Sequence, residues 1–119
     1  MHLDPLEEEI QATLFEWFSW RYPQLDDVFF HVPNGGARHP AVGAKLKKQG
    51  VKKGIPDCVL AVARGVYHGL YLELKRKGEK PNEHQVRKIG ALIKQGYYVK
   101  VSDNIDDAQK IIAEYLELR

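Results

Sequence analysis

The sequence has 119 residues, 44% of them hydrophobic and 29% charged, and its 18 Lys and Arg against 16 Asp and Glu give a formal net charge of +2. That length suffices for one domain with a core of its own and is too short for two. So small a net charge excludes a protein that coats nucleic acid by bulk electrostatics, and Cys58, the single cysteine, excludes an internal disulfide framework and a multi-thiolate zinc site.

A reducing cytosol is the natural setting for such a chain. Its first residues, MHLDPLEEE, are acidic, and no apolar run approaches the ~18 residues that cross a bilayer, so a cytoplasmic protein without membrane contact is expected.

In chain order, the first predicted element is a helix from about Leu6 to Trp20. Ile10, Leu14, Trp17 and Phe18 recur at helical spacing, Pro5 suits the first turn and Pro23 ends it. Asp27 to Val32 is rich in Val and Phe and runs into Pro33-Asn34-Gly35-Gly36, which reads as a strand followed by a turn. The polar stretch from Ala37 to Gly54 holds a short predicted helix around Ala41 to Gln49, closed by Gly50. It carries Arg38, Lys45, Lys47, Lys48, Lys52 and Lys53 and no acidic residue. This is the local basic patch that the net charge conceals.

Cys58 to Ala63 is continuously apolar, as in a central strand buried on both faces. Leu70 to Lys75 alternates, with Leu70, Leu72 and Leu74 on one face and Tyr71, Glu73 and Lys75 on the other. The Arg64-to-Gly69 link between them is short and holds two glycines, which predicts an antiparallel hairpin. A helix from Asn82 to about Gln95, a strand from Tyr97 to Val101 and a helix from about Asn104 to Leu118 follow. No repeat or linker divides the chain, so one domain over residues 1–119 is expected, of the α/β class: a mixed β-sheet flanked by helices, in the order helix, three strands, helix, strand, helix.

The chemistry concentrates in Ile55-Pro56-Asp57, which opens one strand of the hairpin, and Glu73-Leu74-Lys75 on the next. Glu73 and Lys75 leave the same face, and the hairpin returns them to within a few residues of Asp57. Two carboxylates that close repel each other unless a cation sits between them, and oxygen-only ligation suits one or two Mg2+ ions. With Lys75 beside them to orient or help deprotonate water, the chemistry is metal-assisted hydrolysis of a phosphodiester. An exposed Glu-x-Lys pair on an edge strand is the plainer alternative, but charges next to a central strand need a reason.

This ordered set resembles the PD-(D/E)XK nuclease superfamily and, within it, the VRR-NUC family. Gly54-Ile55-Pro56-Asp57 is similar to that family's glycine-x-proline-aspartate motif and Glu73-Leu74-Lys75 to its glutamate-x-lysine motif, with Pro33-Asn34-Gly35-Gly36 before and Gln85 after. The likeness runs from about Leu6 to Val101. It implies that Asp57 and Glu73 are metal ligands, that the backbone carbonyl of Leu74 is a further ligand, and that Lys75 is the catalytic lysine.

The family's helical glutamate pattern is matched by Glu7, Ile10 and Gln11, which makes Glu7 a candidate metal ligand; it equally suits a helix N-terminus by its charge. Gln85 resembles a family glutamine near the catalytic centre, and Asn82-x-x-Gln85 also spells a capping box. Asn34 is a candidate for placing substrate or metal, or a turn residue before two glycines. Lys45, Lys48, Lys52 and Lys53, with Lys47, Arg38 and His39 beside them, are candidates for contacting DNA phosphates, against the alternative of a solvated lysine face. His2, His31, His39, His68 and His84 show no metal-ligand spacing and are read as incidental, and Cys58 as core.

Stand-alone members of the family are small and often phage-encoded. The resemblance therefore implies a Mg2+- or Mn2+-dependent, structure-specific endonuclease acting on branched DNA such as four-way (Holliday) junctions, in the cytoplasm of a bacterial cell or phage-infected host. Two symmetric cuts from a chain with one site imply a homodimer. The alternatives are a non-catalytic DNA-binding or recombination accessory module on the same fold and, third, a sequence-specific restriction-type enzyme, for which loops shorter than ~20 residues leave little surface to read bases.

Overall fold

The computed structural model describes residues 5–33 and 40–119. The elements are α1 (Pro5–Arg21), a 3-10 helix (Pro23–Val28), β1 (Phe29–His31), α2 (Pro40–Lys48), β2 (Cys58–Leu60), β3 (Leu70–Leu74), α3 (Glu83–Lys94), β4 (Tyr98–Ser102) and α4 (Ile105–Leu116). The four strands form one sheet in the order β1-β2-β3-β4, with β1/β2 and β2/β3 antiparallel and β3/β4 parallel. A parallel pair needs a crossover, and α3 supplies it. The fold is the mixed sheet flanked by helices that the sequence predicts.

Leu70, Leu72 and Leu74 project from one face of β3 into a core built with Leu14 and Phe18 of α1, Phe29 of β1, Cys58 and Leu60 of β2, and Ala108, Ile112 and Tyr115 of α4. Fully burying side chains of this size stabilises the fold by roughly 1.5–3 kcal/mol each. The Tyr115 hydroxyl, carried into this core, donates to the Val62 carbonyl at 2.6 Å, so its polar end is satisfied. Residues Tyr71 and Glu73 alternate to the opposite face, where α3 presents Gln85. Helices α3 and α4 are both capped by asparagine, Asn82 and Asn104, whose side chains accept backbone N–H groups that the first turn leaves unpaired.

Two strands are shorter than their composition suggests. Residues 23–28 curl into the 3-10 helix in place of the start of the predicted Asp27–Val32 strand, with Pro23 in its first turn and Asp26 held by the Ser19 hydroxyl. Phe29, stacked on Phe15 with ring centroids 4.2 Å apart, is the first residue of β1. With its neighbour strand begun so late, β2 ends at Leu60, after a last bond from Ala61 N–H to the Val28 carbonyl. Ala61 and Ala63 are exposed and belong to the connection, which a tight Arg64–Tyr67 turn narrows. Among the described residues no helix is long and apolar enough to cross a membrane.

Candidate active site

The register of the β2/β3 hairpin determines the site. Cys58 pairs with Leu72, and one step further along the same antiparallel register Asp57 falls opposite Glu73, at the end where β2 begins and β3 stops. The two residues are tied together. Asp57 N–H donates to Glu73 Oε1 at 3.2 Å, and Leu74 N–H donates to Asp57 Oδ2 at 2.9 Å. Lys75 Nζ lies 3.6 Å from Glu73 Oε2 and 3.7 Å from Glu79 Oε1. Asp57, Glu73, Lys75 and Gln85 are 6%, 3%, 7% and 4% exposed, so this is a buried cluster of ionisable and polar groups and not a solvated strand face.

Burial this deep disfavours a charged carboxylate, and two together add mutual repulsion. Glu73 is pushed up to about 8, first by burial, then by the neighbouring Asp57 charge and by the hydrogen bond its carboxyl shares with Asp57, with Lys75 pulling the other way. Burial also raises the Asp57 carboxyl above its ordinary value, resisted by the Leu74 N–H, by Glu73 and by the charges of His31 and Lys75. The pair therefore holds a proton near neutral pH. A divalent cation, which favours oxygen donors and both carboxylates ionised, fits the place of that proton. Among the described residues no group of three or more His, Cys, Asp or Glu side chains is gathered closely enough to hold a metal.

Gln85 makes the capping contacts that its sequence context suggested and also reaches Glu73. Its Oε1 accepts Asn82 N–H at 2.9 Å while Asn82 Oδ1 accepts Gln85 N–H at 3.0 Å, a complete capping box. Its Nε2 donates to Glu73 Oε2 at 2.5 Å. One amide thus closes the start of α3 and fixes one oxygen of the site carboxylate.

Gly54 brings that helix start to the loop carrying Asp57. It has φ +81, and a Cβ there would lie 2.7 Å from the backbone carbon and oxygen of His84 and 2.9 Å from Gln85 N. Only a residue with no side chain admits so close an approach. Gly54→Ala is expected to cost about 2–4 kcal/mol, because backbone cannot yield as a side-chain tip would. A urea titration reads that loss, and an unchanged midpoint would mean that the loop can swing away from α3 freely.

Glu7 is buried on the inward side of α1, at 9% exposure, and is not part of a three-group cluster with Asp57 and Glu73. Gln11, one turn later, has a buried Oε1 with no hydrogen-bond partner among the described residues. Lys45, Lys47, Lys48, Lys52 and Lys53 are all exposed on α2 and the segment after it, the segment that ends at Gly54. Asn34, Arg38 and His39 lie outside the described residues.

Two neighbours of the cluster are not visible as such in the sequence. His31 ends β1 opposite Cys58, and its Nδ1 lies 2.9 Å from the Asp57 carbonyl oxygen, so this histidine is not incidental to the site's structure. Glu79 reaches Lys75 across a turn in which Gly78 N–H donates to Asp103 Oδ2 at 3.1 Å. Cys58, next to Asp57, is buried in the core, and burial pushes its thiol well up.

A mixed sheet whose hairpin sets an aspartate opposite the glutamate of a Glu-x-Lys, with helices on both faces, is a restriction-endonuclease-like fold carrying the PD-(D/E)XK pattern. Comparison with solved structures agrees. One described as "VRR_NUC domain protein" superposes with a TM-score of 0.83 and 33% sequence identity, over 95% of this chain and 89% of its own. The chain belongs to the VRR_NUC family. A second structure, described as "VRR_NUC domain", shares the fold with a TM-score of 0.57 at 22% identity, over 92% of this chain and 97% of its own. No family sequence model matches the chain. No curated protein matches it.

Proposed function

We propose that the 119 residues form one nuclease domain that hydrolyses phosphodiester bonds in DNA with Mg2+ or Mn2+, acting on branched substrates such as four-way junctions, as a homodimer whose two sites make paired cuts. The observation that carries this reading is the buried Asp57–Glu73 pair with Lys75 Nζ 3.6 Å from Glu73. A binding-only module has no use for three ionisable groups held out of water, since each burial works against stability.

Asp57, Glu73 and the Leu74 carbonyl are the proposed metal-holding groups; Glu7 of α1 is not gathered with them. The ion supplies positive charge against the scissile phosphate and makes water more acidic. Within the chain, Gln85 fixes the Glu73 oxygen that faces Lys75, since both meet Oε2. Lys75, restrained between Glu73 and Glu79, holds its amino group where it orients the attacking water as an ammonium or, once it has given up its own proton, receives the water's. The lysines of α2 and the following loop hold the DNA backbone.

The direct test is a panel of four-way, splayed, flap and linear DNAs with Mg2+ and with Mn2+, comparing the natural chain with Glu73→Ala. Cleavage restricted to branched forms and lost in Glu73→Ala supports the reading, whereas no cleavage of any DNA by the natural chain refutes it. Charge reversal at Lys52 and Lys53 is expected to weaken binding roughly 10-fold and lower the salt slope by about 2, since two phosphate contacts are lost. Binding measured across a salt series that stays unchanged would remove both lysines from the interface.

A further inference from the structure

Next to the backbone that leads into Asp57 lies a concavity of about 380 Å³ lined by Val32, Pro33, Gln49, Val51, Lys52 and Ile55. Its walls come from the two segments that meet at Asp57. Val32 N–H donates to the Asp57 carbonyl at 2.7 Å, and Ile55 is two residues upstream of Asp57. The far wall is the C-terminus of α2. There Gly50 adopts φ +99, its N–H donates to Lys47 O at 3.1 Å, and Val51 N–H donates to Leu46 O at 3.0 Å. That pair of bonds is a Schellman cap, which turns the chain sharply and leaves Val51 projecting beside the basic helix.

The lining is contradictory for a duplex backbone. Val32, Pro33, Val51 and Ile55 offer only apolar surface, while Lys52 and the lysines of α2 lie along the same segment, which has no acidic residue from Pro40 to Gly54. Phosphates belong on the lysines, of which Lys52 alone lines the hollow, and the apolar walls offer them no partner. In paired DNA the bases are stacked away, so nothing on an intact duplex has an apolar, planar group free to enter. An unpaired nucleotide has one, with its phosphate still attached. The volume is at the lower end for a ligand pocket and admits one such group. Gln49, with an amide donor and acceptor, can meet the polar edge of a base.

We propose that this hollow is a subsite for a single unpaired nucleobase of the DNA, whose flanking phosphate pairs with Lys52, and that it gives the site its preference for branched over continuous DNA. The inference rests on the nuclease reading and adds the feature of the substrate that is recognised.

The probe is 2-aminopurine at the first unpaired position of a splayed duplex, bound in Mg2+ by the uncut-substrate variant Lys75→Ala. A base removed from its stacked neighbours into a pocket without aromatic walls brightens, so a several-fold rise is expected on binding, with none when the same base lies in continuous duplex. Adding Val51→Phe, which fills the hollow, or Val51→Asp, which makes it polar, is expected to abolish the rise; Val66→Asp, on the exposed Arg64–Tyr67 turn, is not. In the chain with Lys75 intact, both Val51 variants are expected to lower the ratio of splayed to linear cleavage by about 10-fold, the factor that 1.4 kcal/mol represents. Using both variants separates filling from charge repulsion.

An undiminished rise and an unchanged ratio in both Val51 variants, with cleavage by the natural chain present, would overturn the subsite alone. Absence of cleavage by the natural chain would strike the nuclease reading, and a rise abolished by Val51→Phe would then still support the base pocket.

Discussion

Lys75→Ala is expected to reduce DNA cleavage by about 10²–10⁴-fold, the usual range for removing a positioned proton-transfer group, with little change in DNA affinity. The ammonium is buried beside Glu73 and tethered by Glu79, and the surface lysines that carry the proposed DNA contacts are untouched by the substitution. Folding is not expected to suffer much, because losing the cation leaves a carboxyl pair that already retains a proton near neutral pH. Asp57→Ala and Glu73→Ala are expected to abolish cleavage as well, but they differ in their structural consequences. Asp57 accepts Leu74 N–H and Glu73 accepts both Asp57 N–H and the Gln85 amide, so each alanine leaves buried donors unpaired, at about 1–3 kcal/mol apiece. Single-turnover cleavage together with binding by anisotropy separates the cases. Lys75→Ala cutting branched DNA at the natural rate would remove the lysine from the chemistry and leave the carboxylates to be tested on their own.

The central geometry was legible in the sequence because it depends on a period of two and one short connection. Leu70, Leu72 and Leu74 fix which way Glu73 faces, and the apolar segment after Asp57 can pair with them only as a neighbouring strand. What was hidden depends on partners far apart in sequence. His31 meets Asp57 only through the β1/β2 register, and no local pattern around His31 marks it. Phe29 and Phe30 suggest a longer first strand, but Phe15 and Phe18 of α1 capture Phe29 and the preceding residues coil to reach it. The sequence left Gln85 suspended between a helix cap and a contact with the carboxylates because both patterns use the same residue type. An amide has an acceptor and a donor at opposite corners, and here each corner takes one task. Gly54 is the reverse case: its motif position was visible, while the reason for it, contact with the backbone of His84 and Gln85, is purely tertiary.

The same buried pair predicts an unusual pH dependence in the absence of divalent cations. Glu73 has a folded value of about 8 against an ordinary 4.5, so between those limits the folded chain keeps a proton that the unfolded chain has released. The stability that this protonation contributes is complete below the unfolded value and is lost as pH rises through about 8. Metal-free protein is therefore expected to lose stability from pH 6 to pH 8.5, by an amount on the order of a few kcal/mol. On the proposed reading Mg2+ or Mn2+ would compete for the oxygens that the proton occupies, so its stabilising effect is expected to grow with pH and to be small at pH 6. Glu73→Gln keeps the shape and hydrogen-bonding capacity of the side chain but cannot ionise, and it is expected to flatten the pH slope and remove most of the cation-induced rise in melting temperature. The rest of the chain is common to both proteins, so the quantity to measure is the difference between the natural chain and Glu73→Gln, by thermal denaturation in EDTA and in excess Mn2+. A slope that survives in Glu73→Gln would mean that the carboxylate pair is not its source, and a cation effect independent of pH would separate metal binding from Glu73.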